Sequence, residues 1–269
     1  TRLDESDVSP KLGIIYSITP GLDAFVQYSH GFRAPPYSDA NVSLDVPFFM
    51  YRAVPNPDLR SESADGLDVG LRWYGLRSTA RLSAFRTRYE DFIETKVNIG
   101  VDPVSGYTEF QSINIGDTTI EGLEAGWNTR FGEFDQFALD GSAYYARGDN
   151  DATGQPINSV GPAQAVVGFS WFSADAAREL RMKSTFADAY DRIDESGDEL
   201  FKPAGYAVFD LYYTQKLGDN VTVRAGMQNL TDRTYWNWSD VRGLKPDDPI
   251  LPYLAQAGRA ASLSLHLVW

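Results

Sequence analysis

Arg259-Ala260-Ala261-Ser262-Leu263-Ser264-Leu265-His266-Leu267-Val268-Trp269, the last eleven residues, alternates strictly. Ala261, Leu263, Leu265, Leu267 and Trp269 fall on one face, and Ser262, Ser264, His266 and Val268 on the other. A period of two belongs to a β-strand, whose successive side chains point to opposite sides. One face is apolar and ends in an aromatic, while the other is mostly small and polar. A soluble sandwich supplies that contrast. A lipid-facing strand with an interfacial aromatic supplies it too, and also accounts for a chain that stops on Trp269 without a polar tail.

The same pattern recurs upstream. Leu12, Ile14, Tyr16 and Ile18 lead through the Thr19-Pro20-Gly21 turn into Leu22, Ala24, Val26 and Tyr28. Leu67, Val69, Leu71 and Trp73 alternate with Asp68, Gly70 and Arg72, and the chain turns at residues 74–77 and returns through Ala80, Leu82 and Ala84. Beyond Arg86 the alternation blurs. Leu123, Ala125, Trp127 and Phe131 then oppose Gly122, Glu124, Gly126, Asn128 and Arg130, so the apolar side faces away from a charged one. Further strands are predicted near 137–145, 165–171, 180–186, 206–217 and 220–230. Loops are predicted over 31–62, 95–107, 147–161, 188–205 and 231–258.

About eleven amphipathic strands result, each near the ten residues a tilted membrane strand needs. Short turns alternate with long loops, as in transmembrane barrels. An odd number cannot close an all-antiparallel barrel, so eleven strands suggest half of a barrel of about 22. The opening Thr1-Arg2-Leu3-Asp4 has no signal-peptide character, and residues 1–269 are expected to be one partial domain, the C-terminal part of a longer precursor.

Composition narrows the function. No cysteine is present among 269 residues, which removes disulfides, thiolate metal sites and cysteine nucleophiles. The formal net charge of −13 argues against nucleic acid as a partner. No stretch reaches the ~18 apolar residues of a membrane helix, so a membrane span must be made by strands.

Several motifs share one resemblance. Gly31-Phe32-Arg33-Ala34-Pro35 followed by Asn56-Pro57-Asp58-Leu59 resembles the paired boxes flanking an external loop in TonB-dependent outer-membrane receptors of the haem and haemoglobin class. Asn114-Ile115-Gly116 with Ile120-Glu121-Gly122-Leu123-Glu124, the strand Gly205–Leu211 and Gln228-Asn229-Leu230-Thr231-Asp232 match that family in its order. Tyr235-Trp236-Asn237-Trp238-Ser239-Asp240-Val241-Arg242-Gly243-Leu244 is similar to the haemoglobin/transferrin/lactoferrin branch. The final strand, with Leu263, Leu265, Leu267 and terminal Trp269, resembles the signal read by the machinery that assembles outer-membrane barrels.

The resemblance implies energy-coupled import through a plugged barrel in the bacterial outer membrane, driven by the TonB complex acting on a plug outside these residues. It implies no permanent cofactor and no resident metal; haem, a haem-carrying protein or a ferric chelate is the transported ligand. In haem receptors the loop between the boxes usually carries a histidine on iron. Residues 36–55 contain none. Tyr37 and Tyr51 offer phenolates instead, and Phe48-Phe49-Met50-Tyr51 offers a stacking surface for a flat ligand. Arg33, Tyr37, Phe48, Phe49, Tyr51, Trp236 and Trp238 are therefore the candidate ligand contacts, against the plainer reading that the aromatics pack the loops together. No catalytic residue is expected. The rival from another class is a soluble β-rich hydrolase using an inward carboxylate pair such as Asp68 and Glu124.

Overall fold

The computed structural model describes residues 6–195, 197 and 199–268, so the terminal aromatic Trp269 lies outside the described residues. Eleven strands form one antiparallel meander: β1 (Lys11–Thr19), β2 (Leu22–Arg33), β5 (Glu62–Tyr74), β6 (Ser78–Glu90), β9 (Thr118–Phe131), β10 (Phe137–Asn150), β11 (Gln164–Phe172), β12 (Arg178–Ala187), β13 (Tyr206–Leu217), β14 (Val221–Gln228) and β15 (Ala260–Leu267). β1 and β15 are the two open edges of this sheet. Short turns at 20–21, 75–77, 132–136, 173–177 and 218–220 lie at one end; the connections at 34–61, 91–117, 151–163, 188–205 and 229–259 lie at the other.

The two faces of the wall behave as their residues require. Leu67, Val69, Leu71 and Trp73 are 49, 42, 43 and 47% exposed, whereas Asp68, Gly70 and Arg72 between them are more sheltered. The apolar rows make no dry core. They form an outward band, with Phe131, Phe137 and Phe169 stacked in sequence near the turn end at 5.5 and 5.9 Å. The inner rows pair their charges: Arg81 with Asp68 at 3.3 Å, and Arg181 with Asp140 at 2.8 Å. Phe25, buried on the inner side, carries the Arg72 guanidinium at 4.5 Å from its ring centre. Its ring occupies the space over Gly70, where any Cβ would come within 2.6 Å of it, and Phe85 covers Gly122 in the same way.

Two expected loops are not simple loops. Residues 34–61 carry α1 (Tyr37–Asn41), β3 (Leu44–Val46) and β4 (Tyr51–Ala53), and residues 91–117 carry β7 (Ile93–Val101) and β8 (Thr108–Asn114). These four strands make a second sheet in the order β3-β4-β8-β7, closed by a parallel pairing of Tyr51–Ala53 with Thr108–Phe110. Most fully buried apolar side chains lie at this end of the molecule. Tyr190, Ile193, Leu200, Trp238, Val241, Leu244, Ile250 and Leu251 form one cluster, and Phe92, Ala146, Ile157 and Val160 a second. The wall therefore needs an apolar surround, while the long connections bury their own core. No helix of the described residues is long and apolar enough to cross a membrane.

Candidate functional site

The long connections pack into a cap whose framework is set by the motif residues. Arg33 Nη1 lies 3.2 Å from Glu62 Oε1, and the buried Glu62 accepts the Ile93 amide at 2.8 Å through Oε2. The first box is thereby tied to the start of β7. In the second box, Asn56 donates to the Ser112 carbonyl at 2.9 Å, its Oδ1 accepts the Asp58 amide, and Leu59 is buried. Pro57 lies in the turn between them, and Ala34 and Pro35 follow β2 directly. Asn114 closes the same seam, accepting the Arg60 amide at 2.8 Å and donating to the Arg60 and Asp91 carbonyls.

A second seam joins the last connection to the wall. Asn229 is buried with φ 49°, its amide donates to Asp210 Oδ1 at 2.9 Å, and its side chain bonds both Arg233 and the Ala257 carbonyl. Asp232 Oδ1 accepts the Arg259 amide at 2.7 Å, so the motif at 228–232 holds the two feet of a long excursion together. Near its middle, α2 (Trp238–Val241) is gripped by β7. Arg242 lies 3.3 Å from the buried Glu94 and donates to Thr95 Oγ1 at 2.6 Å; Lys96 Nζ donates to the Ser239 carbonyl at 3.1 Å. Glu94 also accepts the Ser159 hydroxyl at 2.6 Å. Burial pushes its carboxyl above the ordinary range, against the pull of Ser159 and Arg242.

These contacts sort the candidate ligand residues. Trp238 is buried, donates to the Asn158 carbonyl at 2.8 Å and packs 4.9 Å from Tyr190. Trp236 donates to the Leu251 carbonyl at 2.7 Å and meets Phe201 edge-on. Tyr51 packs edge-on against Phe110, and its hydroxyl is cut off from solvent. Burial, with the Asp248 carboxylate nearby, raises its phenol far above the ordinary range. Phe49 half-packs between Phe48 and Tyr253. Phe48 itself is 80% exposed, and Tyr37 and Tyr253 are each 70% exposed. The cap thus presents a free aromatic tip on a packed base. Of the two histidines, His30 bonds Asp7 and Asp65, each at 3.0 Å, and His266 sits on the inner row opposite Thr222.

An outward apolar wall, an inward polar one, short turns at one end and a folded cap at the other describe a membrane barrel segment. Residues 1–230 match the family described as TonB dependent receptor-like, beta-barrel. The chain belongs to that family.

Curated relatives of this TonB-dependent receptor barrel include the hemoglobin-haptoglobin utilization protein B of Neisseria meningitidis serogroup C, 29% identical over 263 residues. That match covers 87% of this chain and 32% of the relative. The hemoglobin and hemoglobin-haptoglobin-binding protein A of Haemophilus influenzae is 27% identical, over 82% of this chain and 22% of its own length. The chain thus spans a third or less of these relatives. Among solved structures, the copper transporter OprC superposes with a TM-score of 0.77 at 21% identity, covering 96% of this chain and 39% of that one. The FrpB iron transporter from Neisseria meningitidis gives 0.68 at 13%, covering 98% and 39%. These likenesses are of fold. As in the rest of the family, the strands span the outer membrane of a Gram-negative bacterium, with the long connections outside the cell.

Proposed function

We propose that these residues are the C-terminal part of an energy-coupled receptor that binds haem or a haem-carrying protein at its external cap and imports the iron cargo. The reading is supported by the aromatic tip on the cap, together with relatives described as haemoglobin-haptoglobin utilization and binding proteins. Energy would come from the TonB complex acting on a plug within the barrel.

Phe48, Tyr37 and the neighbouring Tyr253 are the contacts this reading assigns to cargo, because they are the exposed aromatics of the cap. Trp236, Trp238 and Tyr51 support them from beneath, and Arg33 orients the loop through Glu62. The Tyr51 hydroxyl is shut away from solvent, so Tyr51 is a poor iron ligand and the exposed Tyr37 the better one. Haem or the chelate is cargo throughout, and no resident cofactor is assigned. An enzyme is not proposed: the family is one of receptors, and Asp68 of the carboxylate pair is engaged by Arg81.

One observation favours a second cargo. With no histidine in residues 36–55, a ferric siderophore that brings its own iron ligands suits the same tip. The two are separated by growth of an import-deficient strain carrying the full-length gene. Growth on haemoglobin or haem supports the first reading; growth on ferric siderophore alone replaces it with the second.

A further inference from the structure

On the outer face of the wall, the row that carries the apolar band changes character toward the cap. In β6 it runs Ala80, Leu82 and Ala84, then Arg86 and Arg88, and pairing with both neighbouring strands keeps register through Tyr89. Both guanidinium groups therefore belong to the outward row. Arg86 stands opposite Glu121 of β9, which stands opposite Arg147 of β10, a third outward arginine. Arg147 Nε donates to Glu121 at 2.7 Å. Arg86 and Arg88 are exposed, and among the described residues neither has an ion-pair partner. Asp65, opposite Arg88, is already bonded by Tyr28 at 2.6 Å and His30 at 3.0 Å, and Asp149 holds Arg192.

Height places these cations. Ala80 is level with Trp73, one of the turn-end aromatics, and Arg86 and Arg88 lie six and eight residues further along β6. At about 3.4 Å per residue and a tilt near 40°, their Cα atoms stand roughly 16–21 Å above that aromatic level. An apolar band about 25 Å tall brings the long arginine side chains to the headgroups of the outer leaflet.

Arg147 lines a groove, and Arg86 stands next to it across Glu121. A hollow of about 290 Å³ beside Glu121 and Arg147 continues past Leu123 and Tyr145 into an apolar one of about 450 Å³. Its floor is Ala125, Ala143 and Ala165, directly opposite one another on three strands. Leu82 and Phe186, the next residues in that row on either side, form its walls.

We propose that this groove binds one lipid of the outer leaflet whose phosphorylated headgroup is net anionic, with its phosphate on Arg86, Arg88 and Arg147 and one acyl chain along the alanine floor. Guanidinium groups meet phosphate oxygens two at a time, and a juxtamembrane cation attracts anionic headgroups. The acyl chain fills a hollow in a surface that lipid covers in any case. The site is independent of cargo.

The test uses the full-length receptor, delipidated in detergent and titrated in native mass spectrometry with bis-phosphorylated lipid A, with phosphatidylcholine and with inorganic phosphate. One tightly held lipid A is expected, with phosphatidylcholine at least about 10-fold weaker and no displacement by millimolar phosphate. Arg86→Ala with Arg88→Ala should weaken lipid A about 25-fold, at about 5-fold per arginine, and Ala143→Phe should weaken it by filling the floor. Equal retention of both lipids, displacement by free phosphate, or an unchanged arginine double variant would each overturn the proposal. Selectivity of the unmodified receptor decides the matter even where a variant fails to fold.

Discussion

Val69 sits near mid-height of the outward band, four residues from Trp73 and level with Val26 and Ala84 on the neighbouring strands. Four residues of tilted strand raise it about 10 Å above the turn-end aromatics, close to the middle of a band about 25 Å tall. An arginine there must be held in hydrocarbon, at about 2–4 kcal/mol for a barrel wall. Val69→Arg in the full-length receptor should thus lower the folded-to-unfolded ratio between about 30- and 700-fold. Two comparisons make the reasoning specific. Gln27→Arg places the same side chain on the inner row beside Asp68, and Phe134→Arg places it in the 132–136 turn, where Phe134 is 76% exposed. Both should cost less than about 1 kcal/mol. Urea titrations of receptor folded in lipid vesicles, followed by tryptophan fluorescence, read all three. A neutral Val69→Arg alongside a costly Gln27→Arg would refute the orientation of the wall.

Other consequences concern the cap. Glu62→Ala strips the buried Ile93 amide and Arg33 of their acceptor, and should destabilise the cap by about 2–4 kcal/mol, read as faster hydrogen exchange at Ile93. Trp238→Ala should cost about 3–5 kcal/mol as a buried truncation. Phe48→Ala should leave stability alone and weaken cargo binding about 10-fold, measured by titration. Glu94 has its pKa raised in the folded state, so the folded cap holds that proton more tightly than the unfolded chain does. Its contribution to stability therefore grows as pH falls through the folded pKa toward the unfolded value near 4.5. Protection at residues 94–98, taken relative to the intrinsic exchange rate at each pH, should rise on acidification across that window in the wild type and lose this dependence in Glu94→Gln, which keeps an acceptor for Ser159.

The wall was legible because each strand meets two unlike media, and period-two patterning records that directly: Leu67 to Trp73 needed no partner to be assigned. The hairpin β7–β8 was hidden because its register shifts between Glu94 and Val97 and again between Asn98 and Gly100, with Lys96 at φ 58°. Those bulges break the alternation, and the pairing of β4 with β8 spans only three residues. Arg86 and Arg88 escaped assignment because Thr87 between them is polar too, so neither row stands out. The aromatic candidates show a different limit. An exposed Phe48 and a buried Trp238 look alike in sequence, and the difference lies in contacts with segments 80 residues away, such as Asn158. The boxes are framework residues for a related reason: Asn56, Asn114 and Asn229 satisfy backbone groups at chain crossings that sequence order does not display.

The claim beneath all of this is that hydrocarbon covers one side of the wall. These 269 residues contain no cysteine, so, with any cysteine outside them replaced, single nitroxide labels can be placed one at a time along residues 66–73 of the full-length receptor in bilayers. Accessibility to dissolved oxygen should peak at 67, 69, 71 and 73 and dip between them, with a polar nickel chelate showing no such peaks there. Oxygen maxima at 66, 68, 70 and 72, or no alternation, would contradict the account.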